Sequence, residues 1–238
     1  MKHTISDNLR ELRGRIAEAC EEFDRDADEI TIVAVTKTFP ADIIKKSVSA
    51  GLYDIGESKI QEAELKINAV GHIARYHLIG HLQSNKIKKA VQLFDVIQSV
   101  DSLELAKEIS RRAGEAERVM ECYIEVNSSG EPQKYGIAPD RTLDLVKHVI
   151  ELPHIKLSGL MTVGPLTDDQ DAVRDAFRSV HEIFHLAQEI GGEQFDVLSM
   201  GMSDDFQLAI AEGSTMIRVG TGIFGPRGAL DKSQSDSE

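Results

Sequence analysis

Apolar side chains at Ile5, Leu9, Leu12, Ile16, Ala19, Cys20 and Phe23 recur at spacings of three and four, the stripe of an amphipathic helix packed on a larger body. After the acidic stretch from Asp24 to Asp28 the pattern changes to ITIVAVT. This β-branched run over Ile30 to Thr36 reads as a strand buried on both faces, and it stops at Lys37. From there the two patterns alternate. Helical stretches are expected over 40–50, 58–70, 85–93 and 139–150, and a longer stripe from Val173 to Ile190 ends at Gly191 and Gly192. Asp101 with Glu104 three residues later predicts a capping box opening another helix, and a short helix is expected from about residue 204.

Strands begin at Ile30, Tyr53, Tyr76, Val96, Cys122, Ile155, Phe195 and Met216, each separated from the next by a segment that can be helical. Eight alternating units in 238 residues predict a single α/β domain, a closed (β/α)8 TIM barrel over 1–228 with an extra N-terminal helix. An open doubly wound sheet is the structural alternative. The last residues, 229–238, are polar and expected to form a mobile tail.

Charge narrows the partners. Forty acidic side chains against 27 Lys and Arg give a formal net charge of -13, a field that disfavours nucleic acid and anionic membrane surfaces. An anionic ligand must therefore be held locally, by backbone N–H groups and a few placed cations. Lys86, Lys88 and Lys89 fit a solvated helix face. The two cysteines, Cys20 and Cys122, lack metal-binding spacing and suit a reducing compartment. With no signal-peptide pattern at the N-terminus and no apolar run of membrane-spanning length, the expected location is cytoplasmic.

In such a barrel the chemistry sits where the strands end on their C-terminal side. Those positions hold Lys37, Glu57 with Ser58, His81, Asp101, Asn127, Thr162, the segment Met200 to Ser203, and Arg218 with Gly220 and Thr221. A lysine directly after six apolar or β-branched residues sets its amine against low-dielectric surroundings, which favours the nucleophilic form that Schiff-base chemistry needs. A lysine reaching from the strand end to solvent is the plain alternative. The loops SMGMS and RVGTG follow the last two strands, where barrels often hold phosphate. Ser203 either contributes to that cradle or is an ordinary helix N-cap. Arg218, inside an otherwise apolar strand, must meet a ligand acceptor or pair with Asp204 or Asp205.

With these residues in place, the chain resembles the YggS/PROSC family of pyridoxal 5′-phosphate (PLP) homeostasis proteins, whose fold is similar to the barrel domain of bacterial alanine racemase. The strings VAVTK, IGHLQSNK, EVNSSGE, LSMGMSDDF and IAEGSTMIRVGTGIFG carry the likeness along nearly the whole chain. The resemblance implies that Lys37 forms the Schiff base, that Ser203, Gly220 and Thr221 hold the phosphate, and that Arg218 approaches the pyridine nitrogen. It also implies a monomer or weak homodimer that serves PLP homeostasis and passes the cofactor to apo-enzymes. Two departures stand out. The family's GENYVQE is GESKIQE here, so Ser58 and Lys59 replace an asparagine and a tyrosine, and its FGARD is FGPRG.

Three functions remain open at this stage. The first is a PLP carrier with little or no turnover and no assigned catalytic residue. The second is a racemase-like PLP enzyme with Tyr135 or Lys134 as second base. The third is a cofactor-free Schiff-base aldolase using Lys37 on a phosphorylated sugar.

Overall fold

The computed structural model describes residues 4–226. The expected tail at 229–238, the domain limit at 228 and the last two residues of FGPRG lie outside that range.

Helix α1 (Ile5–Glu22) starts with a capping box: the Thr4 hydroxyl accepts from the Asp7 N–H and the Asp7 carboxylate accepts from the Thr4 N–H, both at 3.1 Å. Eight parallel strands follow, β1 (Thr31–Val35), β2 (Asp54–Glu57), β3 (Arg75–Leu78), β4 (Val96–Val100), β5 (Met120–Val126), β6 (Ile155–Thr162), β7 (Val197–Ser199) and β8 (Met216–Val219). They pair in chain order, and β8 closes on β1. The closed barrel is thus the observed fold, and the open sheet is excluded.

Between the strands run α2 (Asp42–Ser49), α3 (Ile60–Val70), α4 (Ile87–Leu93), α5 (Leu103–Glu115), α6 (Pro139–Val149), α7 (Gln170–Gly191) and α8 (Phe206–Ala211), and a short α9 (Thr221–Phe224) follows β8. Pro139 occupies the first turn of α6, where its missing N–H costs nothing. Helix α7 stops at Gly192, whose φ of +67° suits glycine.

The capping box expected at Asp101 does not form. Ser102 takes the N-cap position of α5 in extended geometry, and its hydroxyl donates to Asp101 Oδ1 at 3.2 Å instead of to the helix. The strand end thereby keeps Asp101 for the barrel rim.

Two packing layers result. Outward-facing strand residues meet the helices in the main apolar core, while Val33, Val96, Tyr123, Met161 and Met216 fill a smaller cluster inside the barrel. Because side chains alternate along a strand, Gly56 faces the interior with Val33 and Val35, and its neighbour Glu57 faces outward against α3.

Candidate functional site

Strand β1 ends at Val35, and Lys37 sits two residues later in the turn that leads to α2, half-buried. Among the described residues its amine has neither a hydrogen bond nor an ion pair. The flanking peptides are tightly held. Lys66, buried on α3, donates to the Thr36 carbonyl at 2.6 Å and to Glu57 Oε1 at 2.7 Å, and pairs with Glu62 at 2.7 Å. Glu62 in turn accepts the Thr38 N–H at 2.5 Å, and the Thr36 hydroxyl donates to Glu57 Oε1 at 2.5 Å. Thr38 has a φ of +70°, a conformation a β-branched residue avoids, so this network offsets strain directly beside the amine. Burial pushes the Glu57 carboxyl up, with Lys66 and Thr36 opposing it.

This clamp was not foreseen in the sequence. The signal was a lysine on an apolar face, since Lys66 shares the buried side of α3 with Ile60, Ala63 and Ile67.

Across the β1–β8 seam, Val33 pairs in register with Arg218. The Arg218 side chain is buried and crosses to the ends of β7 and β6. Its Nη1 donates to the Ser199 carbonyl at 2.8 Å and the Ser199 hydroxyl at 2.7 Å, and its Nη2 donates to the Thr162 carbonyl at 2.7 Å. These three bonds leave two of the five guanidinium N–H groups without a protein acceptor among the described residues. The expected alternative, an ion pair with Asp204 or Asp205, does not form. Asp205 instead accepts the Met202 N–H at 2.5 Å and acts on Arg218 only as a more distant charge. Burial pushes the Arg218 group down to about 10. Among the described residues no carboxylate touches this cation.

The two small-residue loops meet beside it. Gly201 has a φ of +95°, and a Cβ there would lie 2.6 Å from that of Ala209. Ser203 does not cap α8, whose N-cap position is taken by Asp205; its hydroxyl accepts the Gly222 N–H at 3.3 Å and so joins the loop after β7 to the start of α9. Gly220 stands where a Cβ would come within 3.3 Å of the Val35 carbonyl, which brings this loop against the end of the lysine's own strand. Thr221 is exposed at the start of α9. Lys37, Ser203, Arg218, Gly220 and Thr221 are thus carried on β1 and the last two strands of one closed barrel, at their C-terminal ends.

The rest of the same rim, at the ends of β2 to β5, carries the remaining candidates. Tyr135 stacks on His81 with ring centroids 3.9 Å apart, His81 Nδ1 lies 3.7 Å from Asp101, and Lys134 is tied to Glu131 at 2.6 Å and to the Gly164 carbonyl at 2.9 Å. Asn127 holds this loop by donating to the Glu131 and Lys134 carbonyls. Ser58 is half-buried with its carbonyl against Gly80, and Lys59 is exposed. Glu125, on β5, has one buried carboxylate oxygen without a partner; burial and the nearby Asp101 push it up to about 7, while Arg218 opposes the shift.

Residues 7–228 match the family described as the N-terminal domain of alanine racemase. The pyridoxal phosphate homeostasis protein of Haemophilus influenzae is 38% identical over 227 residues, spanning 94% of this chain and 96% of that one. The structure of PipY from Synechococcus elongatus with PLP bound superposes with a TM-score of 0.80 at 32% identity, over 93% of this chain and 100% of PipY. Alanine racemase from Corynebacterium glutamicum shares the fold at a TM-score of 0.74 and 16% identity, and the match spans 93% of this chain but 61% of the racemase. The chain belongs to the pyridoxal phosphate homeostasis family, built on the alanine racemase N-terminal domain.

Proposed function

We propose that this chain binds PLP through a Schiff base on Lys37 and serves PLP homeostasis in the cytoplasm by storing the cofactor or passing it to apo-enzymes, with little turnover. One observation carries the reading: a buried guanidinium without an anionic partner stands in register with the lysine's strand, beside a glycine-serine cradle that faces that strand's end.

The residues fit the group. Lys37 supplies the amine that condenses with the aldehyde, releasing water. Ser203, Gly220 and Thr221 receive the phosphate, where small residues let backbone N–H groups approach an anion. Bound PLP supplies an electron sink only to the extent that its ring nitrogen is protonated. Arg218 can donate to that nitrogen but cannot protect a proton on it, so it favours holding the cofactor over carbanion chemistry. A racemase-like enzyme needs a second acid–base group, and the two candidates are otherwise engaged: Lys134 with Glu131 and Gly164, Tyr135 with His81. A cofactor-free aldolase gains no support from relatives that are named for PLP.

The test is borohydride reduction of protein expressed with ample vitamin B6, followed by peptide mapping. A visible absorption band and a reduced adduct on Lys37 are expected. A colourless protein, or an adduct on another lysine, overturns the assignment.

A further inference from the structure

A line of polar side chains crosses the inside of the barrel from β8 to β2. Arg218 Nη1 donates to the Ser199 hydroxyl at 2.7 Å, Ser199 Oγ donates to Gln98 Oε1 at 2.7 Å, Gln98 Nε2 lies 2.9 Å from His77 Nδ1, and His77 Nε2 lies 2.8 Å from Asp54 Oδ1. The interior members are sealed from water: His77, Gln98 and Ser199 are each 0% exposed and Arg218 4%. Asp54, at the N-terminal end of β2, is half-buried. The line therefore runs from the candidate site to the opposite end of the barrel.

Its two ends fix every proton between them. A guanidinium only donates and a carboxylate only accepts. Ser199 Oγ accepts from Arg218 and so passes its own hydrogen to Gln98 Oε1. The Gln98 amino group is then directed at His77 Nδ1, with its second hydrogen toward Met216 Sδ at 3.4 Å. His77 must accept at Nδ1 and donate from Nε2 to Asp54. None of these atoms is left unsatisfied, although the same barrel contains orphaned oxygens on Glu57 and Glu125. A hydrogen-bond chain polarised in one direction, from cation to anion, strengthens each of its links.

We propose that His77, with Gln98 and Asp54, is a positioning residue for Arg218: through Ser199 it fixes the orientation and donor strength of the guanidinium that faces the cofactor's ring nitrogen. The proposal rests on the PLP reading above. The charged surroundings of the far end belong to the same device, since Arg75 on β3 lies 3.7 Å from Asp54 and donates to Glu121 on β5 at 2.6 Å, and Tyr123 donates to that same carboxylate at 3.4 Å. A ring carrying hydrogens on both nitrogens would point Nδ1–H at the Gln98 amino group. The amide would have to turn over, and the Ser199 hydroxyl would then face two donors and lose Gln98 Oε1 as its acceptor, while Arg218 kept its bond to the Ser199 carbonyl. A change at the barrel base therefore reaches the guanidinium through Gln98 and the Ser199 hydroxyl.

The test uses the full-length protein labelled with 15N-histidine, with the His77 ring signals identified by their loss in His77→Gln. In ligand-free protein the Nε2–H tautomer is expected. Ser199→Ala, two links away, should displace the Nδ1 resonance by more than its linewidth, and Ser199→Thr should restore it. Loading with PLP, followed by its visible band, should displace the same resonance. Asp54→Asn should shift the band maximum and weaken PLP retention roughly tenfold, about the effect of one charge-assisted hydrogen bond. An Nδ1–H tautomer, or indifference of His77 to Ser199→Ala, overturns the chain in ligand-free protein. A band with an unmoved His77 signal overturns its link to the cofactor. Absence of any band defeats the PLP reading instead, and the Ser199→Ala arm still decides the chain.

Discussion

The two sides of the barrel mouth handle charge in opposite ways. Behind Lys37, a lysine is paired directly with two glutamates from β2 and α3, and the group bonds to the backbone of residues 36 and 38. Around Arg218 the acceptors are two carbonyls and a hydroxyl, so the positive charge is held but not cancelled. On the proposed reading, the first arrangement makes a rigid base for a nucleophile and the second keeps a cation available to a ligand. In a chain of net charge -13, a local cation with no carboxylate in direct contact among the described residues is the kind of group that can hold an anionic molecule against the overall field.

The contrast predicts unequal costs when each side is broken. Lys66→Met leaves Glu57 buried beside no cation and should cost about 3–5 kcal/mol in denaturant unfolding of ligand-free protein. Adding Glu57→Gln should return much of that loss, and strict additivity of the two changes would dissolve the idea of a coupled clamp. Arg218→Met abandons only neutral acceptors and should cost about 2 kcal/mol, while removing most PLP retention. A larger stability cost than that of Lys66→Met would mean that Arg218 has a hidden anionic partner.

Glu125 sharpens the point. Its carboxyl in the folded protein lies at about 7, against an ordinary value of 4.5, so the folded chain holds this proton more tightly than the unfolded chain does. Stability is therefore shed as pH rises between those values. Glu125→Gln should stabilise the protein by on the order of 2 kcal/mol at pH 8, with the gain vanishing near pH 4. Destabilisation at pH 8 would instead mark Glu125 as the ion-pair partner of Arg218. The smallest effect is expected from Ser203→Ala, which removes one hydroxyl acceptor and should cost about 1 kcal/mol by thermal unfolding. Its effect on PLP retention should exceed its effect on stability if the loop holds the phosphate as proposed.

What was legible beforehand followed from local pattern. The eight strands, the lysine at the end of β1, the glycine at the end of α7 and the paired small-residue loops all announce themselves within a few residues. Partnerships across strands did not. Arg218 was read as a buried cation in need of an acceptor, yet its acceptors lie 19 and 56 residues away on neighbouring strands, and only the register of a closed sheet brings Ser199 and Thr162 to it. The same holds for Ser203, whose position before DDFQLAIAEG suggested a cap for α8. The hydroxyl serves Gly222 instead, because Asp205 closes its own turn and leaves the serine free.

The opening helix has a consequence for how the molecule comes into being. Helix α1 is tied to the far end of the chain: Asn8 donates to the Ile223 carbonyl 215 residues away, Arg15 covers the Phe206 ring at 4.7 Å, and Arg25, just beyond the helix, reaches the Ile210 and Ser214 carbonyls. During synthesis this amphipathic segment emerges well before residues 206–223, against which it packs. Its apolar stripe must wait in solvent, or with a chaperone, until those residues have been made.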